Sequence, residues 1–189
     1  MTSNQIIIFA SGSGSNAENI VNYFSNKRSN HKWLICTNNP KARVIERAKK
    51  LQIDYKIFTK DELYNGSILN CINSLNPELI ILAGFLLKFP IEIIDVYNKK
   101  IVNIHPALLP KYGGKGMYGM NVHKAIIKNK EAVSGITIHY VNKKYDEGPI
   151  IFQKKIKICP SYTPNDLAKK IHDLEMKYFP KIVENLLAR

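Results

Sequence analysis

Short apolar runs recur through the first half of the chain, separated by stretches with helical spacing. Gln5 to Ala10 carries Ile-Ile-Ile-Phe and runs into Ser-Gly-Ser-Gly. Trp33 to Cys36 ends at Thr-Asn-Asn-Pro, Tyr55 to Phe58 is shorter, and Leu79 to Ala83 reads Leu-Ile-Ile-Leu-Ala. Apolar runs of this length, without polar alternation, suit parallel strands buried on both faces. Between them, Asn16 to Ser25 spaces Ile20, Val21 and Phe24 as a helix does. Lys41 to Leu51 does the same with Val44, Ile45, Ala48 and Leu51, and Asp61 to Leu75 with Leu63, Ile68, Leu69, Ile72 and Leu75. Gly66 weakens that last helix. A helical turn over Ile91 to Val96 and a strand opening at Ile101 complete a βαβαβαβαβ pattern. It predicts a doubly wound α/β fold with a mostly parallel sheet.

After Pro110 the pattern changes. Lys111 to Met120 is a loop with Gly113, Gly114, Gly116 and Gly119, and Asn121 to Asn129 is a short helix. Val133 to Val141 and Ile150 to Ile158 read as strands joined through the turn Asp146-Glu147-Gly148-Pro149, an antiparallel hairpin. Thr163 to Leu187 is a long amphipathic helix with Thr163 as N-cap and Pro164 at N1. Pro180 is expected to kink or split it. No linker, repeat or low-complexity segment divides the 189 residues, so 1–189 is expected to form one domain around a mixed seven-stranded sheet with helices on both faces.

Lys and Arg number 28 against 15 Asp and Glu, a net charge of +13. Nucleic-acid binding is one explanation; lysines on solvated faces that draw in a small anionic substrate are the other. The lysines are scattered, as at Lys49-Lys50, Lys99-Lys100 and Lys143-Lys144, which favours the second and predicts no nucleic-acid partner. Cys36, Cys71 and Cys159 fit neither a disulfide framework nor a metal spacing, so no metal is expected and the setting reads as a reducing cytoplasm. The N-terminus has no basic segment leading an apolar one, and no run of about 18 apolar residues predicts a membrane span.

The chemistry concentrates at Ile101 to Pro110. Asn103 and His105, two apart in a strand that Pro106 stops, point to the same side at its C-terminal end. Open α/β sheets bind ligands there. A blander alternative is that both side chains cap nearby backbone. The turn Ser11 to Ala17 reads G-x-G-x-x-A, but a dinucleotide site needs an acid about 20 residues on. The second strand ends Thr37-Asn38-Asn39, with no acid before Glu46. What survives is a phosphate held on the N–H groups of Gly14, Ser15 and Asn16, or else a plain capped turn. Asp146 is the third candidate for chemistry, expected beside His105 where a carboxylate would keep the imidazole protonated. No serine or cysteine lies in a nucleophile context, so direct acyl transfer between two bound substrates is expected.

Asn103-Ile-His105-Pro-Ala-Leu-Leu-Pro110, the glycine-rich loop and Asp146-Glu-Gly148-Pro149 together resemble the folate-dependent formyltransferase family. Ser-Gly-Ser-Gly-Ser-Asn16, Leu82-Ala83-Gly84-Phe85 and Glu175 with Tyr178-Phe179-Pro180 extend the resemblance over essentially the whole chain. It implies a Rossmann-like single domain that transfers the formyl group of 10-formyltetrahydrofolate, a co-substrate, to the amine of glycinamide ribonucleotide. The route would be a tetrahedral intermediate, in purine biosynthesis. The resemblance assigns Asn103, His105 and Asp146 to catalysis, and Gly14, Ser15 and Asn16 to the substrate phosphate. It gives His172 and Glu175 to the ribonucleotide. Leu86, Leu87, Lys88 and Phe89 fall to the pterin, with the backbone from Tyr140 and Val141 to Asp146 completing that pocket. His172 and Glu175 could instead be an exposed ion pair. His123 and His139 lie near the site by the same resemblance, or are structural histidines.

Departures from the family pattern are specific. The segment between Phe58 and Pro77 lacks an arginine found in some relatives, and Leu87 stands where an arginine is common. The loop Gly113 to Gly119 is longer and reads as a candidate mobile lid. Formylation of methionyl-tRNA is the rival activity; by resemblance it calls for a further C-terminal domain, whereas the sequence stops at Arg189. A non-enzymatic nucleotide-binding module is the other rival, and it has no need of Asn103, His105 and Asp146. A monomer or a homodimer fits equally.

Overall fold

The computed structural model describes residues 4–188. Its strands are β1 Gln5–Phe9, β2 Lys32–Thr37, β3 Asp54–Ile57, β4 Leu79–Leu82, β5 Ile101–His105, β6 Val133–Tyr140 and β7 Ile150–Lys157. They form one seven-stranded sheet in the order β3-β2-β1-β4-β5-β6-β7. The pairs from β3 through to β5 are parallel. β6 runs antiparallel to both β5 and β7.

Helices cover the two faces: α1 Ser15–Asn26, α2 Val44–Lys50, α3 Lys60–Tyr64, α4 Ser67–Leu75, α5 Ile91–Val96, α6 Met120–Lys128 and α7 Pro164–Leu187. Side chains alternate across each strand, so every apolar strand feeds two cores. Ile6 and Ile8 join Ile20 and Phe24 of α1 and Ile171 and Phe179 of α7 on one face. Ile7 and Phe9 join Ile68 and Ile72 of α4 and Ile93 of α5 on the other. All four β1 residues are wholly buried, each worth about 1.5–3 kcal/mol relative to exposure. That double burial explains why this sequence shows no polar alternation.

Two helices differ from the sequence reading. The helix expected over Asp61 to Leu75 is two: α3 opens on a Thr59–Glu62 capping box, and Gly66, at φ 91°, turns the chain before α4. A left-handed glycine ends one helix more cheaply than it continues it. Conversely, Pro180 does not split α7, which runs through it. Proline lacks the N–H that would bond the carbonyl four residues back, at Met176. Asn19 of α1 supplies the missing donor, its Nδ2 lying 2.8 Å from that carbonyl oxygen. Elsewhere, element ends shift by a few residues: α2 starts at Val44 rather than Lys41.

β2 and β4 flank β1, so the connections leaving β1 and β4 depart in opposite directions. A crevice opens at this switch point, above the C-terminal ends of β1, β4 and β5. No described helix is long and apolar enough to cross a membrane.

Candidate active site

A cavity of about 630 Å³ occupies the crevice. Gly12 to Asn16, Leu86, Asn103, His105, Asp146, His172 and Glu175 all line it, along with the loop from Gly114 to Met120. A smaller cavity of about 70 Å³ adjoins it and shares Asn103, Tyr145 and Asp146.

The first wall is the β1–α1 turn. Gly14 sits at φ 72° as the N-cap of α1, and no side chain caps the helix. The turn lines the cavity, with the Ser15 N–H 3.5 Å from Ser13 Oγ, and a helix N-terminus of this kind suits an anion. The turn is braced from behind. Arg47 Nε donates to the Ser13 carbonyl at 2.9 Å, and Arg47 Nη1 also bonds Glu18. Ser11 N donates to the Gly84 carbonyl at 3.0 Å, tying the β1 and β4 exits together.

The opposite wall comes from β5. Asn103 and His105 do lie on one side of the strand, the side of Ile101 rather than of Val102 and Ile104. Directly across the sheet from Asn103 is His139. A register shift at Ile138 and His139 locally breaks the β6–β7 ladder, a device that re-aims side chains beside sites. His139 Nδ1 lies 2.9 Å from the Tyr140 carbonyl, so it donates there. Its Nε2 lies 3.1 Å from Asn103 Nδ2. The same Asn103 amide reaches Asp146 Oδ1 at 3.4 Å.

Asp146 stands between the two histidines, 3.6 Å from His105 Nδ1 and 3.6 Å from His139 Nε2. Its backbone is left-handed at φ 55°, an uncommon conformation that recurs at functional sites. Burial opposes its charge, but His139, His105 and the Gly114 N–H, 2.9 Å away, outweigh it and hold the carboxyl below its usual range. His105 is 3% exposed, and burial is the largest influence on it. Asp146 and the Tyr112 carbonyl pull the other way without prevailing, so its pKa lies below the ordinary 6.5. Against the expectation that Asp146 keeps the imidazole protonated, burial outweighs the carboxylate and favours the neutral ring. Thr137 holds the segment after His105 in place, donating to the Ala107 carbonyl at 2.7 Å and accepting from Leu109 N at 3.0 Å.

The third wall is α7. Glu175 Oε2 accepts from Asn16 Nδ2 at 2.9 Å and from His172 Nδ1 at 3.4 Å. The hydrogen bond to Glu175 raises the His172 pKa. The pair faces the cavity, and it is not the exposed pair that one reading had, since the Glu175 side chain is only 13% exposed.

Residues assigned to the pterin are divided. Leu87, Lys88, Phe89 and Val141 line the smaller cavity, whereas Leu86 lines the larger one. Phe89 is also core, packed edge-on against Phe9 with ring centroids 5.1 Å apart. Tyr140 lines neither; its contribution is the carbonyl that orients His139. Tyr112 and Gly114 fasten the glycine-rich loop to His105 and Asp146 through backbone groups. Backbone groups carry no mark in a sequence, and neither contact was foreseen. Nor was Arg47, which stands alone in its helix without a motif around it.

Residues 4–183 match the model of the formyl transferase family, and the chain belongs to that family. It is similar to the phosphoribosylglycinamide formyltransferase of Bacillus subtilis, with 36% identity over 95% of this chain and 93% of that protein. A chloroplastic phosphoribosylglycinamide formyltransferase of Arabidopsis thaliana is 35% identical over 95% of this chain, which spans 64% of the plant protein. The crystal structure of phosphoribosylglycinamide formyltransferase from Bacillus halodurans superposes with a TM-score of 0.88 at 31% identity, covering 98% and 96% of the two chains.

Proposed function

We propose that the protein transfers the formyl group of 10-formyltetrahydrofolate to the amine of glycinamide ribonucleotide. One observation carries the reading: a single cavity joins an uncapped helix N-terminus, suited to a phosphate, to Asn103, His105 and Asp146. The phosphate rests on the N–H groups of Gly14, Ser15 and Asn16. Glu175 and His172 hold the ribose, and the amine reaches the β5 end. The formyl folate enters from the adjoining cavity, between Leu87, Lys88 and Val141.

In this reading the amine nitrogen attacks the formyl carbon and the formyl oxygen takes up negative charge. Asn103 Nδ2 donates to that oxygen, turning from its contact with Asp146. The neutral His105 takes the amine's proton on Nδ1, and the resulting imidazolium is flanked by Asp146, which favours the charged form. The proton then passes to N10 of the folate as the carbon–nitrogen bond breaks. No covalent bond to the protein forms.

An assay with glycinamide ribonucleotide and a formyl folate tests this. The expected result is loss of the folate's formyl group matched, mole for mole, by a formylated ribonucleotide seen by mass spectrometry. Deformylation without that product would make water the acceptor and refute the proposal.

A further inference from the structure

We propose that His123 positions the acceptor substrate by donating a hydrogen bond from Nε2 to its carboxamide oxygen. The assignment rests on the proposed function above. His123 stands in the first turn of α6, is 5% exposed, and lines the larger cavity together with Asn16, His105 and Glu175. Both His105 and Glu175 act on it electrostatically, so it lies within their reach along that wall.

What distinguishes His123 is what it does not bond. The other buried histidines have protein partners: His105 the Tyr112 carbonyl, and His139 both Asn103 and the Tyr140 carbonyl. His123 Nδ1 is sealed from solvent with no hydrogen-bond partner among the described residues. Nε2 is not sealed, and no described residue bonds it. A structural histidine normally satisfies at least one ring nitrogen from the protein.

The sealed nitrogen decides the tautomer. A buried N–H without an acceptor is rarer than an unfilled lone pair, so Nδ1 keeps the lone pair and Nε2 carries the proton. Burial also lowers the affinity of the ring for a second proton, which would orphan Nδ1 as a donor. His123 therefore offers the cavity one donor, Nε2–H. In the proposed pose the ribose lies at Glu175 and the amine at His105. The part of glycinamide ribonucleotide between those two ends is the carboxamide. Its carbonyl oxygen accepts from Nε2–H; its N–H does not match.

The test compares wild type with His123→Phe, which fills the space without a donor, and His123→Gln, which restores one. Steady-state kinetics give KM for glycinamide ribonucleotide and for the formyl folate. Competitive inhibition by ribose 5-phosphate, which has no carboxamide, is measured alongside, with thermal melts to confirm folding. In His123→Phe, KM for the ribonucleotide should rise about tenfold or more, as an unpaired buried carbonyl predicts. The folate KM and the ribose 5-phosphate inhibition constant should stay within about twofold, and His123→Gln should recover most of the loss. An unchanged ribonucleotide KM would overturn the proposal. So would an equal loss for ribose 5-phosphate, which marks a merely structural role. If His123→Phe does not fold, His123→Asn, too short to reach, replaces it with the same expectations. A wild-type protein that does not turn over glycinamide ribonucleotide at all would refute the function itself, and this assignment with it.

Discussion

The Nε2 atom of His105 lies 2.7 Å from the carbonyl oxygen of Tyr112. A carbonyl only accepts, so this nitrogen carries the proton in every charge state of the ring. Any second proton must go to Nδ1, on the side of Asp146. The glycine-rich loop thus determines which face of the His105 imidazole is basic.

The charge state of His105 is directly measurable. In an NMR titration of the free protein its midpoint should fall below 6.5, because burial outweighs its partners. Asp146→Asn should lower it further, since the carboxylate favours the imidazolium. A midpoint at or above 6.5 would contradict the neutral resting form.

Stability should follow with a definite sign. A histidine whose folded pKa is depressed binds fewer protons folded than unfolded. Its contribution is complete above the unfolded value of 6.5 and is lost as pH falls through the folded value; His123 shifts in the same direction. His172, whose pKa Glu175 raises, contributes in the opposite sense. In a His172→Gln background the urea midpoint should therefore decline between about pH 7 and pH 5, and decline less when His123→Phe is added; a flat profile in that background would rule this out.

His105→Ala and Asp146→Asn should each lower kcat by about 10²–10³ with KM for the ribonucleotide nearly unchanged. The double variant should lose far less than the product of the two, because the pair acts as a unit. Cleanly multiplying losses would mean that they act independently.

Gly14→Ala should fail at the β1–α1 turn. Its φ of 72° disfavours any side chain, and a Cβ there would clash with the Val44 side chain. A loss of stability above about 1 kcal/mol is expected, together with loss of inhibition by ribose 5-phosphate. Inhibition at wild-type strength would place the phosphate elsewhere.

Asn19→Ala tests how α7 tolerates its proline. The Met176 carbonyl loses its donor, and about 1–3 kcal/mol of stability should go with it. Pro180→Ala restores a helical N–H, so in the Pro180→Ala background Asn19→Ala should cost much less. Equal costs in both backgrounds would show that the Asn19 bond does not compensate for the proline.

Much of the site was legible because its signals are local. Asn103 and His105 are two apart in a strand, which fixes their common side before any fold is known. The turn at Gly14, which the structure places on the cavity at the N-terminus of α1, shows in the sequence through its glycines. What the sequence leaves hidden has a different origin. The Pro180 rule is local, but its remedy, Asn19, comes from another helix. The charge on His105 was read from Asp146 alone; the burial that decides it arises only once β5 is enclosed. Tyr112 acts through a carbonyl that any residue would supply.

The bond from Asn16 to Glu175 joins positions 159 apart in the chain. Synthesis therefore delivers the site's parts at opposite ends of its timetable. A nascent chain that has reached Asp146 already contains the turn at Gly14, Asn103 and His105. It still lacks the Glu175 carboxylate that orients Asn16 and forms one wall of the cavity. Only when α7 has emerged and docked on α1 do both ends of the cavity exist together. Acceptor affinity, followed on stalled chains of increasing length, should switch on beyond residue 175, so that binding reports a finished fold.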